Sequence, residues 1–401
     1  MSWEPMNFDE LGYISRGRSR HRPRDAAHLY GGQYPFVQTG DVKHAGLYLT
    51  EYTQTYSEEG LAQSRIWPTG TLCITIAANI ADTAILGFDA CFPDSVIGFI
   101  PDDKKADARF IKYLFDALLQ RKYKQFTQGA AQDNLSQAKL LSLKFPIPGI
   151  IEQKQIADVI STYDDLIENN RRRIQLLEQA ARLLYKEWFV HLRFPGHEHT
   201  KIIDGVPEGW EKRTYADLFE FLGGFAFKSK TYLTDGRYGV VTIKNVHNAR
   251  FVPECPARLD VPPEKTKDHC LLKTGDILLS LTGNVGRACI VYGDDYLLNQ
   301  RVAKVVGRSG IPASFVYWTF SNDATQRELE NLAYGVAQLN LSPVKLGERE
   351  FLEPPKMILN LFAGTAAPIF SQICSLNLQN KQLAKVRDLL LPKLMNGEVA
   401  I

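Results

Sequence analysis

The chain runs to 401 residues with 45% hydrophobic content, enough for two or three domains that each bury a core, and it has no apolar run near the ~18 residues of a membrane span. Lys and Arg (47) nearly balance Asp and Glu (45), so a net charge of +2 leaves nucleic-acid affinity to local patches or to a partner. Cys73, Cys91, Cys255, Cys270, Cys289 and Cys374 are scattered with no C-x-x-C pair, which suits buried free thiols in a reducing compartment and indicates neither a disulfide framework nor a zinc site. Met1 to Glu10 lacks a basic leader followed by an apolar stretch, so a cytoplasmic protein with no membrane association is expected.

In chain order, Trp3-Glu4, Phe8 and Glu10-Leu11 come first, then a stretch from Arg16 to Arg24 in which every second residue is arginine. Tyr34 to Val42 is a short β-rich run leading to the polar tip Lys43-His44. Thr69-Gly70, the apolar run Leu72 to Ile76 and Asn79 predict strand, turn, strand, and Ala108 to Leu119 is helical in pattern. From about Gln153 to Phe189 the apolar positions are Ile156, Ile160, Tyr163, Ile167, Ile174, Leu177, Ala181, Leu184 and Trp188, with Asn170 in the one polar slot. Steps of four and three make this a coiled-coil seam, with Arg171, Arg172, Glu178 and Gln179 expected on the outer face. At ~1.5 Å per residue such a helix is roughly 55 Å long and needs a partner helix. His191 to Pro207 then has the Pro-Gly and Asp-Gly pairs of a linker.

The sequence next begins again. Trp210-Glu211, Tyr215 and Asp217-Leu218 repeat the opening spacing, and Tyr238 to Val246 matches Tyr34 to Val42. Thr274-Gly275, Ile277 to Leu281 and Asn284 match the Thr69 segment, with Gly283 to Gly286 as the hairpin connection. Ala313 to Phe320 matches the Ala108 helix, and Gly335, Gln338, Asn340, Leu341 and Ser342 match Gly129, Gln132, Asn134, Leu135 and Ser136. A shift of about 206 residues carries the seam onto Ile369, Ile373, Leu376, Asn380, Leu383 and Leu390. The C-terminal helix is therefore the expected partner, with Pro368 in its first turn and Pro392 ending or kinking it. An antiparallel pairing would relate the two domains by an approximate two-fold axis at opposite ends of a rod.

This ordered series, together with Leu298-Asn299-Gln300-Arg301 taken as a strand, resembles the specificity subunit of type I restriction-modification systems over essentially the whole chain. The resemblance implies an α+β fold of two pseudo-repeat mixed α/β target recognition domains, separated by two long helices forming an antiparallel coiled coil. The boundaries expected are residues 1–149 and 209–360 for the recognition domains, 150–194 and 361–401 for the helices, and 195–208 for a linker. It further implies that each domain reads half of a bipartite, asymmetric site in double-stranded DNA, and that the helices set the gap. The helices would also dock two modification (adenine methyltransferase) subunits, onto which restriction subunits assemble. No cofactor is then expected on this chain; S-adenosylmethionine, ATP and magnesium belong to the partners.

Among the candidate DNA contacts, Arg16, Arg18, Arg20, Arg22 and Arg24 form the densest positive patch, a phosphate-binding or groove-entering loop or else a solvated, partly disordered one. Lys228 and Lys230 are their sparse counterparts in the second copy. Lys43, His44, Lys244, Asn245, His247, Asn248 and Arg250 sit at polar tips suited to base edges or phosphates, although turns favour such residues anyway. Asn299, Gln300 and Arg301 either read bases or form a polar strand edge. Gln132, Asn134, Gln338 and Asn340 occupy equivalent slots in both copies, so a scaffold role is favoured for them. The spacer seam comprises Ile160, Ile167, Asn170, Ile174, Leu177 and Leu184 with Ile373, Leu376, Asn380, Leu383 and Leu390; its two asparagines trade stability for register. Trp188 and Phe189 either meet a methyltransferase subunit or pack on the linker.

Two rivals are weighed against this. A self-sufficient nuclease would use Pro93-Asp94 with Asp103-Lys104-Lys105, but Asn299-Gln300 replaces Pro93-Asp94 in the other copy. A self-sufficient methyltransferase would need an Asn/Asp-Pro-Pro-Tyr/Phe box, and Glu353-Pro354-Pro355-Lys356 is not one. His197-Glu198-His199 has no second ligand cluster beside it for a metal. The third possibility is a coiled-coil adaptor that binds proteins and not DNA.

Overall fold

The computed structural model describes residues 3–77, 80–120, 135–308, 310–335 and 339–399. Gln132, Asn134 and Gln338 lie outside these. The chain divides into two compact units, Met1–Asn169 with Lys381–Ile401, and Asn170–Asn380, so each long helix is shared between both.

In the first unit, Gly12–Arg16, Val96–Pro101, Leu72–Thr75 and Thr83–Leu86 pair antiparallel in that order, and Tyr48–Leu49 adds a parallel edge. Both Leu72–Thr75 and Thr83–Leu86 are buried throughout, which their uninterrupted apolar and β-branched sequences require. The second unit repeats this order with Phe219–Gly223, Val302–Gly307, Ile277–Ser280 and Ala288–Ile290. Its hairpin turns through Gly283 and Gly286, both at positive φ as a tight connection demands. Each repeat also pairs its first strand with its last: Glu4–Met6 with Phe145–Ile147, and Glu211–Thr214 with Glu350–Glu353. Each repeat thus returns to where it started just before a long helix begins.

The central helix spans Ile150–Tyr185 and continues as a π-turn over Lys186–Val190; its partner spans Lys356–Met395. In the first unit Asp164 accepts a hydrogen bond from the Arg387 guanidinium and another from the Tyr113 hydroxyl (2.6 Å). There Ile156, Ala157 and Ile160 share a core with Leu394 and Met395. In the second unit Asn170 Nδ2 donates to Asn380 Oδ1 at 3.0 Å, while Ala181 and Tyr185 share a core with Phe362, Ala366 and Ile373. Numbers rise on one helix as they fall on the other, so the pairing is antiparallel within both units. Of the seam residues, Ile160, Ile167, Asn170, Ile373 and Leu376 are buried, and Ile174, Leu177, Leu184, Asn380, Leu383 and Leu390 are half-buried.

The helices depart from expectation in four respects. The C-terminal helix starts at Lys356, not near 361, because Ile358, Leu359 and Phe362 already bury an apolar stripe and the Leu359 N–H reaches the Pro355 carbonyl (3.1 Å). Pro368 is consequently well inside the helix. The carbonyl that loses its N–H partner belongs to the exposed Gly364, which water can reach, and the seam on either side offsets the defect. Glu178 is buried, not on the outer face, because the helix Ala313–Phe320 of the second domain covers that flank. Finally, Lys356–Met395 contains an eighteen-residue window of mean hydropathy 1.4, apolar enough by composition and length to cross a membrane; here its buried positions pack on the central helix and the cores.

Candidate nucleic-acid interface

The arginine stretch is a folded loop. After the strand Gly12–Arg16 the chain runs against the turn at Phe92 to Asp94, with the Gly17 N–H donating to Val96 O (2.9 Å) and the Arg18 N–H to Phe92 O (3.1 Å). A Cβ at residue 17 would collide with the Phe92 carbonyl, so glycine is required there by close approach. Gly17 and Ser19 are buried while Arg16, Arg18, Arg20, Arg22 and Arg24 are exposed, so from Arg16 to Arg20 the alternation in the sequence becomes one inner and one outer face; beyond it His21 is half-buried and Pro23 exposed. Three of the five guanidiniums brace the loop itself. Arg16 Nε donates to the Asp94 carbonyl (2.8 Å), Arg24 pairs with the Asp94 carboxylate (2.9 Å), and Arg22 donates to the carbonyls of Ser19 and His21 (both 2.7 Å). Among the described residues Arg18 and Arg20 have no ion-pair partner, and they present two uncompensated cations to solvent.

A segment without any periodic or charge signal holds this loop from the other side. Gln63 Oε1 accepts from the backbone N–H groups of Arg20 and His21 (3.0 Å to the latter), and Ser64 Oγ donates to Arg18 O (2.9 Å). Next to them Arg65 lies over the Trp67 ring (4.4 Å) and the Tyr13 ring (4.9 Å), and donates to the Tyr13 hydroxyl (2.7 Å). The hydrogen bonds of Arg65 and then Ser15 pull the Tyr13 hydroxyl below its usual pKa, with smaller contributions from the charges of Arg65 and Arg18. Tyr13 is half-exposed, so the cationic face extends from the loop onto the edge of the sheet.

The second copy builds the same loop from different residues. Phe225 N–H donates to Leu298 O (2.9 Å), as Arg18 does to Phe92, and a Cβ at Gly224 would meet Leu298 O and Asn299. His269 Nε2 bonds Gly223 O at 2.9 Å from the segment equivalent to Gln63-Ser64. Lys228 and Lys230 are exposed beyond the half-buried Phe225 and the buried Phe227.

The remaining candidates separate into exposed and engaged groups. Lys43 and His44 lie in the short helix Thr39–His44, not at a strand tip, and His44 Nδ1 bonds Gly40 O. Asn245 is buried: its amide donates to the carbonyls of Val252 (2.9 Å) and Glu254 (3.0 Å) and accepts from Thr242, so it ties down its own turn and faces no solvent. Lys244, His247 and Arg250 around it are exposed, and Asn248 is half-buried. Asn299, Gln300 and Arg301 form the turn between Tyr296–Leu298 and Val302–Gly307, not a strand, because Asn299 Oδ1 accepts from the Arg301 N–H (3.2 Å) and bends the chain. Asn299 is buried by that bond, whereas Gln300 and Arg301 project outward. Trp188 and Phe189 face inward, with Phe189 5.0 Å from the rings of both Phe315 and Phe362. Asp94 pairs with Arg24 through its carboxylate and with Arg16 through its backbone carbonyl. His197 is held by Phe194 O (2.9 Å) in a short 3-10 turn.

A family model described as "Type I restriction modification DNA specificity domain" matches residues 1–179 and again 207–356. The type I restriction enzyme MjaIX specificity subunit of Methanocaldococcus jannaschii is 24% identical, covering 100% of this chain and 94% of that protein. The HindI specificity subunit of Haemophilus influenzae is 23% identical, covering 97% of this chain and 98% of that protein. Among solved structures, the type I restriction-modification S subunit from M. genitalium superposes with a TM-score of 0.57 at 16% identity, covering 98% of this chain and 96% of the other, a likeness of fold.

Proposed function

Because the chain belongs to the type I restriction-modification DNA specificity family, we propose that it supplies the sequence specificity of such a complex, each recognition domain reading one half of a bipartite site. The observation that carries the contact surface is the first domain's loop: its backbone is pinned on both sides, while Arg18 and Arg20 stay exposed with no ion-pair partner among the described residues. Placing like charges on a rigid outer face suits a polyanion, which relieves their mutual repulsion on binding. In the second domain the exposed cations are Arg301, Lys228 and Lys230, beside the neutral Gln300, a different arrangement in keeping with a different half-site.

The chemistry is assigned to partners. Two adenine methyltransferase subunits with S-adenosylmethionine, and restriction subunits using ATP and magnesium, would act in the cytoplasm on DNA that this chain selects. Apolar residues on the helices outside the seam, Leu176 and Leu183 at 65% and 63% exposed and Leu389 at 61%, offer surface for such subunits. The test is Arg18→Ala/Arg20→Ala in the full chain. Its affinity for mixed-sequence duplexes should fall roughly tenfold or more, and its salt slope should flatten by about two ions. An unchanged slope removes the loop from the interface, and DNA turnover by the chain alone with magnesium or S-adenosylmethionine overturns the subunit reading.

A further inference from the structure

We propose that the residues just ahead of the Thr-Gly turn in each copy, Gln63 and Ser64 in the first and His269 in the second, are positioning residues that set the shape of the DNA-facing loop. Ser64 and His269 occupy the same place in the repeat, each five residues before its threonine, Thr69 and Thr274. Ser64 bonds the carbonyl of Arg18 inside the first loop (2.9 Å), and His269 bonds that of Gly223, the last residue of the strand that leads into the second loop (2.9 Å). Gln63 adds two bonds, from the amides of Arg20 and His21, so the two arginines without ion-pair partners are held through their own backbone. On the opposite side each loop meets the turn that leads into the neighbouring strand of its sheet, Phe92 to Asp94 before Val96–Pro101 or Leu298 to Gln300 before Val302–Gly307. The loop is therefore clamped between a turn common to both copies and a bracket whose chemistry differs between them. None of the bracketing side chains needs to touch DNA. What they supply is order: a five-arginine loop left free would have to be ordered at the moment of binding, and its guanidiniums would spread apart until then.

The inference rests on the reading of these loops as DNA contacts, and the experiment separates the two. In the full chain at low salt, Gln63→Met removes the acceptor at similar volume, and Ser64→Ala gives a milder second variant. His269→Phe removes the second bracket, and His269→Gln keeps an N–H that can reach Gly223 O. The readouts are tryptic cleavage after Arg18 and Arg20 or after Lys228 and Lys230, amide exchange in the same loops, and anisotropy with a labelled 40-base-pair mixed-sequence duplex. Gln63→Met should raise cleavage of the first loop about tenfold and weaken DNA binding about tenfold, with the salt slope kept because no charge is lost. His269→Phe should loosen only the second loop, and His269→Gln should restore its protection. Unchanged protection in Gln63→Met and His269→Phe overturns the inference. Lost protection with unchanged affinity also overturns it; if Arg18→Ala/Arg20→Ala still weakens binding, the DNA reading stands alone, and if not, both have failed.

Discussion

Glu178 is the residue whose titration the structure makes most visible. It is 8% exposed, its Oε1 accepts from the buried Tyr317 hydroxyl at 2.7 Å, and its Oε2 lies 3.6 Å from Arg182 Nε, too far for a good hydrogen bond. Burial pushes the carboxyl up from the ordinary 4.5 to about 6, against the pull of Tyr317 and Arg182. The folded state then holds the proton more tightly than the unfolded chain. Stability from this group is complete below 4.5 and is lost as pH rises through about 6. Full protonation is worth about 2 kcal/mol, of which roughly 1 kcal/mol falls between about pH 7.5 and about pH 5. Glu178→Gln keeps an acceptor for Tyr317 and cannot titrate. Urea unfolding of both proteins across that range isolates the contribution as a difference, since the other carboxylates are common to both. The wild type should gain roughly 1 kcal/mol on the variant as the solution is acidified, and Tyr317→Phe should move the transition to higher pH. A flat difference curve would show that water reaches the carboxylate and that this flank of the helix is not closed.

Asn170→Leu or Asn380→Leu alone should destabilise by about 1–3 kcal/mol, each leaving one seam amide without its partner, while the double variant should recover most of that or exceed wild type; additive losses in denaturant melts would deny the coupling. Seven residues inserted into both long helices at the level of Asn170 and Asn380 should lengthen the gap in the recognised sequence by roughly three base pairs, at ~1.5 Å per residue and ~3.4 Å per base pair, with unchanged half-sites in a methylation profile.

The repeat and the seam were legible because each rests on spacing, and spacing survives in a bare sequence. Ile160, Ile167, Ile373 and Leu376 are buried where the heptad puts them. Glu178 escaped that logic because a two-helix seam leaves its flanks in water, and nothing in the helix says that Ala313–Phe320 will cover one of them. Pro368 reads as a first-turn residue because a proline suits that place, yet a long seam tolerates it inside the helix where the freed carbonyl belongs to an exposed glycine. Asn299 looked like part of a strand from its apolar neighbours, and only its side-chain bond to the Arg301 amide reveals the turn. Gln63 and Ser64 left no trace at all, since one amide and one hydroxyl in a loop acquire meaning only from the backbone groups they face.

The two copies also separate what builds a recognition domain from what it recognises. Gly17 and Gly224 are the same residue for the same reason, a loop passing too close to a carbonyl for any Cβ. The bonds of the next residue to Phe92 O and Leu298 O are the same bond. Yet the residues making them are Arg18 and Phe225, with opposite demands for solvent, and the brackets beside them are Ser64 and His269. A framework held constant by backbone hydrogen bonds does not depend on those side chains. They are therefore free to diverge, and if these loops contact DNA as proposed, a change of target sequence is confined to the loop, its bracket and the turn at Asp94 or Gln300 while both sheets and both long helices stay as they are.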